Sequence, residues 1–299
     1  MDYLNVKETA KRWKVSERMV RLYCTEKRVS KAEYRDGNWY IPSNARKPKR
    51  EVTQKTELLG LAKKVIYQKE RNNHFGIYVY IQVNLAYRSC RMTSNRLTRE
   101  QVLDIYRTDR VSVAFEPMKV DDLIEINNHF WAMRYIVDNL GNPLTLPMIK
   151  KIHTHLCYGT EADREGIVRC GEYRIRRNKY GVSPALISQE LLGLIEEYES
   201  HKSVDLDTIL DFHVRFEQIH PFDDYNGRVG RLLMMKECLR FGIDPFIIDD
   251  KRRGAYNRGI AMWDESPEVF RKVCQEAQGR FRAKMELCRL MQYRRLPKV

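Results

Sequence analysis

The chain has 299 residues, of which 43% are apolar and 31% are charged. This composition is typical of a globular protein, and the length suffices for one large domain and one small domain. No apolar run approaches the roughly 18 residues of a membrane span, and the first residues lack the apolar core of a signal peptide. We therefore expect a cytoplasmic protein that has no membrane partner.

Cysteine usage and charge narrow the protein classes further. The seven cysteines are scattered, odd in number and never spaced as CxxC, so we expect reduced core thiols and neither a zinc site nor a disulfide framework. The net charge of +14 favours an anionic partner, such as nucleic acid or a nucleotide phosphate. A basic surface without such a partner is the alternative, because net charge alone decides little.

The basic residues concentrate at the beginning of the chain. Residues 1–50 contain 14 Lys and Arg against 6 Asp and Glu, which is a net charge of +8. A polar stretch with two prolines lies at 42–56 and is typical of a linker. We therefore predict a small domain at 1–48, a linker at 49–56 and a large domain at 57–299.

The small domain is predicted to contain two helices and a hairpin. Asn5 and Glu8 have the spacing of a capping box before a first helix, and Ser16 can cap a second helix. Asp36 and Gly37 lie between aromatic-rich arms, which is a strong signal for a hairpin. The apolar positions expected to face inward are Val6, Ala10, Trp13, Met19, Val20 and Tyr23. The basic positions expected on the outer face of the second helix are Arg18, Arg21 and Lys27.

This segment resembles the helix-turn-helix domains of the excisionase and MerR type, on the residues YLNVKETAKRWKVSERMVRLYC and GNWYIP. The resemblance implies a small winged helix-turn-helix, in which 16–27 includes the recognition helix and 32–41 forms the wing. It also implies that duplex DNA is a partner, because a basic helix of this kind can bind phosphates and present arginines to guanine edges. The alternative is a solvated basic face on a protein-interaction module.

The remainder of the chain is predicted to be mainly α. Thr98 and Gln101 have the spacing of a capping box at the start of one helix. The stretch GEYRIRRNKYGVSP at 171–184 departs from the helical pattern and suits a short β-hairpin or flap. The segments with a helical period of 3.6 are 57–71, 98–108, 119–139, 145–157, 185–200, 205–219, 227–241 and 266–292.

The residues suited to chemistry concentrate in HPFDDYNGRVGR at 220–231. A helix should end before the proline, which leaves His220 beside a loop, and a second helix should begin within the motif. The free N–H groups of that helix start suit a phosphate, and Arg228 and Arg231 lie three residues apart on one side of it. His220 can serve as a general base and Asp224 as a ligand for Mg²⁺. Together these groups suit phosphoryl or nucleotidyl transfer.

This stretch resembles the signature of the Fic family, which runs HPF, any residue, Asp or Glu, Gly, Asn, Gly, Arg, any two residues and Arg. Eight of the nine fixed positions agree, and the matching residues are His220, Pro221, Phe222, Asp224, Asn226, Gly227, Arg228 and Arg231. The stretches INNHFWAM, GEYR and GRLLMMKECLRFGIDPFII are also similar to the family, and the similarity extends over residues 75–280. The resemblance implies an all-helical Fic core with a short β-hairpin flap.

The resemblance further implies a protein adenylyltransferase that moves AMP from ATP to a Tyr, Thr or Ser hydroxyl of a target protein. His220 would deprotonate that hydroxyl, Asp224 would bind Mg²⁺, and the hydroxyl would attack the α-phosphate and release pyrophosphate. The residues that would hold the nucleotide are Asn226, Gly227, Arg228 and Arg231, with Tyr225 beside them. The flap residues that would align the target segment by backbone pairing are Tyr173, Arg174, Ile175 and Arg176.

One departure from the family pattern lies inside the motif. Tyr225 stands where the signature has Gly. A side chain at this place is strained if the backbone requires a positive φ. The ring would also narrow the phosphate site or alter the choice of nucleotide.

The second departure concerns an inhibitory helix that many members carry, with Ser or Thr, three residues, Glu and then Gly or Asn. The corresponding stretch is LAYRSCRMTSNRLT, in which Ser89 matches while Thr93 and Ser94 replace the Glu-Gly pair. The family's glutamate pairs with the second arginine of the motif, here Arg231. Because a threonine cannot form that ion pair, we predict that the intrinsic inhibitory glutamate is missing.

Three functional interpretations stay open at this point. The first is an AMP transferase with a DNA-binding domain. The second is a DNA-binding regulator whose Fic core is catalytically weak or inert, which the tyrosine in the motif would favour. The third is a transferase that uses UTP, GTP or another phosphate-bearing donor. The sequence does not identify the target protein, nor does it decide whether the chain forms a homodimer.

Overall fold

The computed structural model describes residues 2–25, 28–48, 56–58, 60–110, 118–175 and 181–293 of the chain. Helices dominate this part of the chain, and a small sheet lies at its N-terminal end. The prediction of a mainly α fold is therefore confirmed.

The described residues between 2 and 48, called the N-terminal module below, form two helices and three strands. Their bounds are β1 Tyr3–Asn5, α1 Val6–Trp13, α2 Glu17–Thr25, β2 Glu33–Arg35 and β3 Asn38–Pro42. The strands pair antiparallel in the order β1-β3-β2. The six apolar residues predicted to face inward all lie in one core that belongs to this module.

The local signals predicted for the module are confirmed. The Asn5 side chain accepts the N–H of Glu8 and the Glu8 carboxylate accepts the N–H of Asn5, each at 2.9 Å, which completes the capping box. Ser16 Oγ accepts a backbone N–H from the first turn of α2 at 3.2 Å. Asp36 and Gly37 have φ values of 49° and 77°, as a type I′ turn requires at both central residues.

Eleven α-helices follow in the described residues after the module. They are α3 Gly60–Glu70, α4 Ile77–Arg91, α5 Arg99–Thr108, α6 Val120–Asp138, α7 Leu146–Cys157, α8 Glu161–Arg164, α9 Ile187–Glu199, α10 Leu206–Ile219, α11 Asn226–Arg240, α12 Arg253–Ala261 and α13 Pro267–Tyr293. Eight of them were predicted to within a few residues, whereas α4, α8 and α12 were not. Throughout the described ranges, no helix is both long and apolar enough to cross a bilayer.

Helix α11 runs through the middle of the helical part and contacts α3, α4, α6, α7 and α10. Nearly all of its side chains are buried, including charged ones. Near its C-terminal end, Arg240 donates to both carboxylate oxygens of Glu199 at 2.6 and 3.0 Å, and Lys236 donates to Glu237 at 2.6 Å. Because buried charges are tolerated only when they are paired, these contacts fix one end of α11 within the core.

The N-terminal module rests on α9 and α10. The Arg18 guanidinium pairs with Asp211 Oδ2 at 2.9 Å and also with Glu197, whose side chain is only 7% exposed. Lys47 Nζ lies 3.3 Å from a carboxylate oxygen of Glu196. The expectation that Arg18 lies on a free outer face is therefore wrong, because two carboxylates of the helical part bind its side chain.

The other two basic residues predicted on α2 differ from Arg18. Arg21 is exposed to solvent, and its guanidinium pairs within the same helix with Glu17 at 3.0 Å. Lys27 lies outside the described residues. Of the three, Arg21 is the one that the structure leaves on an outer face.

The cysteines are not all reduced thiols, which corrects the prediction from their spacing. Cys157, at the end of α7, and Cys170 are joined in a disulfide, with their Cα atoms 5.9 Å apart. The segment after α8 folds back on α7, where the N–H of Gly171 donates to His153 Nδ1 at 2.9 Å, and this return brings the two cysteines together. Four cysteines in the described part of the chain are free and buried as expected, and they are Cys24, Cys90, Cys238 and Cys274.

Candidate active site

The predicted motif forms the loop between α10 and α11. Helix α10 ends at Ile219, as the following proline predicts, and His220 adopts the left-handed conformation with φ 50° and ψ 63°. The N–H of His220 still donates to the carbonyl of Phe216 at 3.1 Å, so the residue closes the helix. The sharp turn after the last helical residue leaves the His220 side chain at the edge of a cavity.

Tyr225 occupies the glycine position of the motif with a φ of 67°, so the backbone does require the conformation that favours glycine. Its ring is 3% exposed and lies beneath the guanidinium of Arg228, with the Cζ atom 3.5 Å from the ring centroid. Burial raises the pKa of the Tyr225 hydroxyl to about 12. The ring therefore packs mostly into the core and leaves the start of α11 open.

The loop is anchored by Phe222 and Asn226. Phe222 is fully buried and stacks on His153, with ring centroids 3.8 Å apart and planes 6° from parallel. The Asn226 side chain accepts the N–H of Phe222 and donates to its carbonyl, both at 2.9 Å. Asn226 was predicted to hold phosphates, but both polar atoms of its side chain are already bonded to the loop, so its side chain shapes the loop instead.

A cavity of about 750 Å³ opens over this loop. Its walls come from the residues after α4, the last turn of α10, the motif and α12. The motif residues that line it are His220, Asp224, Tyr225, Gly227, Arg228 and Arg231. The predicted base, metal ligand and helix start therefore share one space.

Asp224 has the chemistry of a Mg²⁺ ligand. Its side chain is 57% exposed at the cavity, and one carboxylate oxygen lies 3.2 Å from Arg228 Nη2. Within the described part of the chain, no group of three or more His, Cys, Asp or Glu side chains could enclose a metal ion. A single exposed carboxylate can hold an ion that completes its shell with water and substrate phosphates, as Mg²⁺ commonly does.

The two motif arginines have different partners. Arg228 is 3% exposed and donates to Glu125 of α6 at 2.5 Å, an acceptor that the sequence did not predict. Burial alone would lower the pKa of Arg228, but the charges of Glu125 and Asp224 raise it above its usual value. Arg231 is 7% exposed and donates from Nε to Ser89 Oγ at 2.9 Å. The charge of Arg228 is thus balanced by carboxylates, whereas this contact of Arg231 is to a neutral hydroxyl.

The predicted inhibitory stretch does lie beside the second arginine. Ser89, near the end of α4, contacts Arg231 with both its hydroxyl and its carbonyl, the latter at 3.2 Å from Nη2. Thr93 lines the cavity, and its hydroxyl donates a hydrogen bond to the carbonyl of Cys90 at 2.8 Å. Ser94 has a φ of 117°, a value that favours glycine.

Residues 143–238 match the model of the Fic/DOC family. The chain contains a Fic/DOC domain. Among its relatives are proteins named protein adenylyltransferase Fic from Drosophila grimshawi and Drosophila persimilis. Each is 29% identical over 188 residues, which cover 60% of this chain and 37% or 35% of the relative. The chain thus spans little more than a third of the length of these relatives.

Solved Fic structures share the fold. A Fic domain containing signaling protein from Bacteroides thetaiotaomicron superposes with a TM-score of 0.60 at 16% identity, over 90% of this chain and 94% of that one. Fic-1 from C. elegans superposes with a TM-score of 0.58 at 17% identity, over 75% of this chain and 69% of that one. At these identities the likeness concerns the fold alone.

The side chains of the first flap residues have different surroundings. The Tyr173 ring packs on that of Phe222, with ring centroids 5.9 Å apart. The Lys150 ammonium lies 4.2 Å from the centroid of the Tyr173 ring. Arg174 is 2% exposed and points at the end of α10. The core therefore binds both side chains, and alignment of a target segment by backbone pairing with the flap stays a prediction. Ile175 is 68% exposed, and Arg176 lies outside the described residues.

His220 is partly buried, and this burial, followed by the positive charge of Arg174, lowers its pKa below the usual 6.5. The neutral imidazole is therefore the main form at pH 7, and a neutral imidazole can accept a proton. The ring meets the first requirement for a general base in the Fic domain.

Sequence reasoning missed several residues of the cavity. Glu217 lies one helical turn before His220, so its spacing on α10 was a usable signal, and burial raises its pKa to about 7. Tyr256 and Asn257 belong to α12, which was not predicted at all. Glu125, the partner of Arg228, is distant from the motif in sequence, and the residues around it do not predict this contact.

Proposed function

We propose that the chain transfers AMP from ATP to a hydroxyl of a target protein. The observation that carries this proposal is that His220, Asp224 and the first turn of α11 open onto one cavity. A base, a carboxylate for a metal and a phosphate-binding helix start are the parts that nucleotidyl transfer needs. The relatives that carry the name protein adenylyltransferase support the same reaction.

ATP would lie with its phosphates at the start of α11. The first N–H groups of a helix have no partner within the helix, and the helix dipole favours anions there. Gly227 leaves this place open, since a Cβ atom on it would lie 2.8 Å from Arg231 Nη1. Tyr256, Asn257 and Ile260 of α12 line another wall of the cavity, so the adenosine would lie between α11 and α12.

His220 would accept the proton of the target hydroxyl as that oxygen bonds to the α-phosphorus. The bond from this phosphorus to the bridging oxygen breaks, and pyrophosphate leaves with the electron pair. Mg²⁺ held by Asp224 would neutralise phosphate charge. The target hydroxyl would belong to a Tyr, Thr or Ser near the flap, and Ile175 is an exposed flap residue that can contact it. UTP or GTP would use the same phosphate contacts, so an experiment must identify the nucleobase of the donor.

The proposed reaction is tested by replacing His220, the general base. We expect His220→Ala to reduce transfer by about 10²–10⁴-fold, the usual contribution of a general base, while ATP binding and folding persist. The measurement is incorporation of label from ATP, UTP and GTP into proteins of a cell lysate. His155→Ala is the matched control, because His155, on α7, packs against Tyr135 of α6 and does not line the cavity. Equal incorporation by wild type and His220→Ala would exclude the assignment.

We also propose that this Fic domain lacks an intrinsic inhibitory glutamate. Ser89 contacts Arg231, and Thr93 one turn later faces the cavity. Neither side chain carries the negative charge that would hold the guanidinium away from a phosphate. The positive φ of Ser94 suits the glycine that follows the glutamate in the family's inhibitory motif.

Restoring the motif should restore inhibition. We expect Thr93→Glu combined with Ser94→Gly to lower the initial transfer rate by about tenfold or more, because a charged hydrogen bond to Arg231 contributes about 1.5–3 kcal/mol. Ser94→Gly alone is the control and should keep the wild-type rate at the same ATP concentration. If the double variant is as fast as that control, the inhibitory alignment of this stretch is wrong.

A second function, DNA binding by the N-terminal module, is favoured by the net charge of +8 on residues 1–50 and by the exposed Arg21. In this proposal the chain is a DNA-binding regulator, whether or not its Fic core is active. Arg18 would contribute only if the module leaves the carboxylates of α9 and α10. A basic module that binds a protein is the competing interpretation.

DNA binding is tested on the full chain by a salt series with duplex DNA. We expect Arg21→Ala to weaken binding and to reduce the slope of log affinity against log salt by about one, as the loss of one phosphate contact does. Arg280→Ala removes the same charge from an exposed position of α13 and should change neither quantity. Absence of binding even in low salt would assign the module to protein contacts.

A further inference from the structure

Arg174 is a buried cation that the reaction proposed above does not use. The residue is 2% exposed, and its Nε donates to the carbonyl of His220 at 2.6 Å. Its Nη2 donates to the carbonyl of Val182 and lies 3.4 Å from that of Ile219. Its backbone N–H donates to the carbonyl of Pro221 at 3.0 Å. Three consecutive carbonyls at the end of α10 are therefore bound by one residue.

These carbonyls need a partner because of where they lie. The last carbonyls of a helix receive no hydrogen bond from an N–H group of the same helix, and the negative end of the helix dipole lies there. His220 leaves the helical conformation with φ 50°, which turns its carbonyl away from the axis of α10. A guanidinium offers five N–H donors in a fixed plane and can bond several such carbonyls at once.

Gly181 shows how closely the far end of the flap approaches the same point. A Cβ atom on Gly181 would lie 2.3 Å from Arg174 Nη2, 3.0 Å from His220 Cβ and 3.0 Å from the carbonyl oxygen of Ile219. A side chain at this position would therefore displace the guanidinium or the histidine. Arg174 thus joins both ends of the flap to the residue that carries the imidazole.

We propose that Arg174 is a positioning residue, which holds the main chain of His220 so that the imidazole stays at the cavity. The inference rests on the proposed function, because it gives His220 the role of the base. Arg174 touches no reacting atom, since its donors are spent on carbonyls. Its contacts also hold Val182, at the far end of the flap, beside the end of α10.

The contacts of Arg174 predict that its loss lowers the rate of transfer without weakening the binding of ATP. Phosphates would lie at the start of α11, and Arg174 contacts the end of α10 and the flap instead. Loss of the guanidinium should therefore shift His220 and leave ATP in place. A displacement of about 1 Å in a catalytic group lowers the rate by about 100-fold.

The experiment compares Arg174→Met and Arg174→Lys with wild type in kcat for transfer and in the Kd for ATP. We expect kcat to fall about 100-fold in Arg174→Met, and less in Arg174→Lys, while Kd stays within about twofold. Arg169→Met is the matched control, because this exposed arginine of the same segment donates to a carbonyl of Tyr173 at 3.1 Å and should keep the wild-type kcat. An unchanged kcat in Arg174→Met, or a loss of ATP binding parallel to the loss of kcat in both variants, would overturn the inference.

A second readout separates this inference from the proposed function. The ring signals of the seven histidines can be followed by NMR, with His220 assigned through His220→Ala. We expect the His220 signal to move in Arg174→Lys and to stay in place in Arg169→Met, whether or not wild type transfers a nucleotide. If wild type is inactive and the signal still moves, only the proposed function fails. If the signal is the same in wild type and Arg174→Lys, the positioning role is wrong.

Discussion

The loop between α10 and α11 holds two residues other than glycine, His220 and Tyr225, in the left-handed region of the backbone. Such conformations cost about 1–3 kcal/mol each and persist only when the surroundings hold them. Here the holding contacts are specific. Asn226 bonds both polar backbone atoms of Phe222, and the Phe222 ring is stacked in the core. The cavity depends on this loop, because the reversal at each end brings the imidazole and the start of α11 to the same space.

Burial of the two motif arginines determines how the charges of the site are paired. Arg228 and Arg231 are both almost fully buried, so each needs a partner, and the partners differ in charge. Glu125 and Asp224 balance Arg228. Arg231 contacts a serine, and the nearby Glu217 is only partly ionised at pH 7 because burial raises its pKa to about 7. Of the two arginines, Arg231 therefore keeps the greater share of its charge for an incoming phosphate.

Much of the fold and part of the site could be predicted from the sequence, and the failures have physical causes. Helices with one apolar face were found, whereas α4 is buried on nearly all sides and has no such face to detect. The motif predicted that His220, Asp224 and the helix start lie together, because they are neighbours in sequence. The partners of Arg18 and Arg174 were missed, since both lie on elements that only the tertiary fold brings close. The sequence pattern does not show that Arg18 pairs with carboxylates of the helical part or that Arg174 is buried.

The proposed reaction requires that a nucleoside triphosphate binds with its phosphates against the first turn of α11. Calorimetric titration of ATP with Mg²⁺ into wild type, Gly227→Ala and Gly279→Ala tests this most directly. A Cβ on Gly227 would press on the Arg231 guanidinium, whereas nothing lies within 4 Å of one on Gly279, at an exposed position of α13. We expect wild type and Gly279→Ala to bind ATP alike and Gly227→Ala to bind it about tenfold or more weakly, a loss of about 1.4 kcal/mol. Equal affinity in all three proteins, or no binding by wild type, would contradict it.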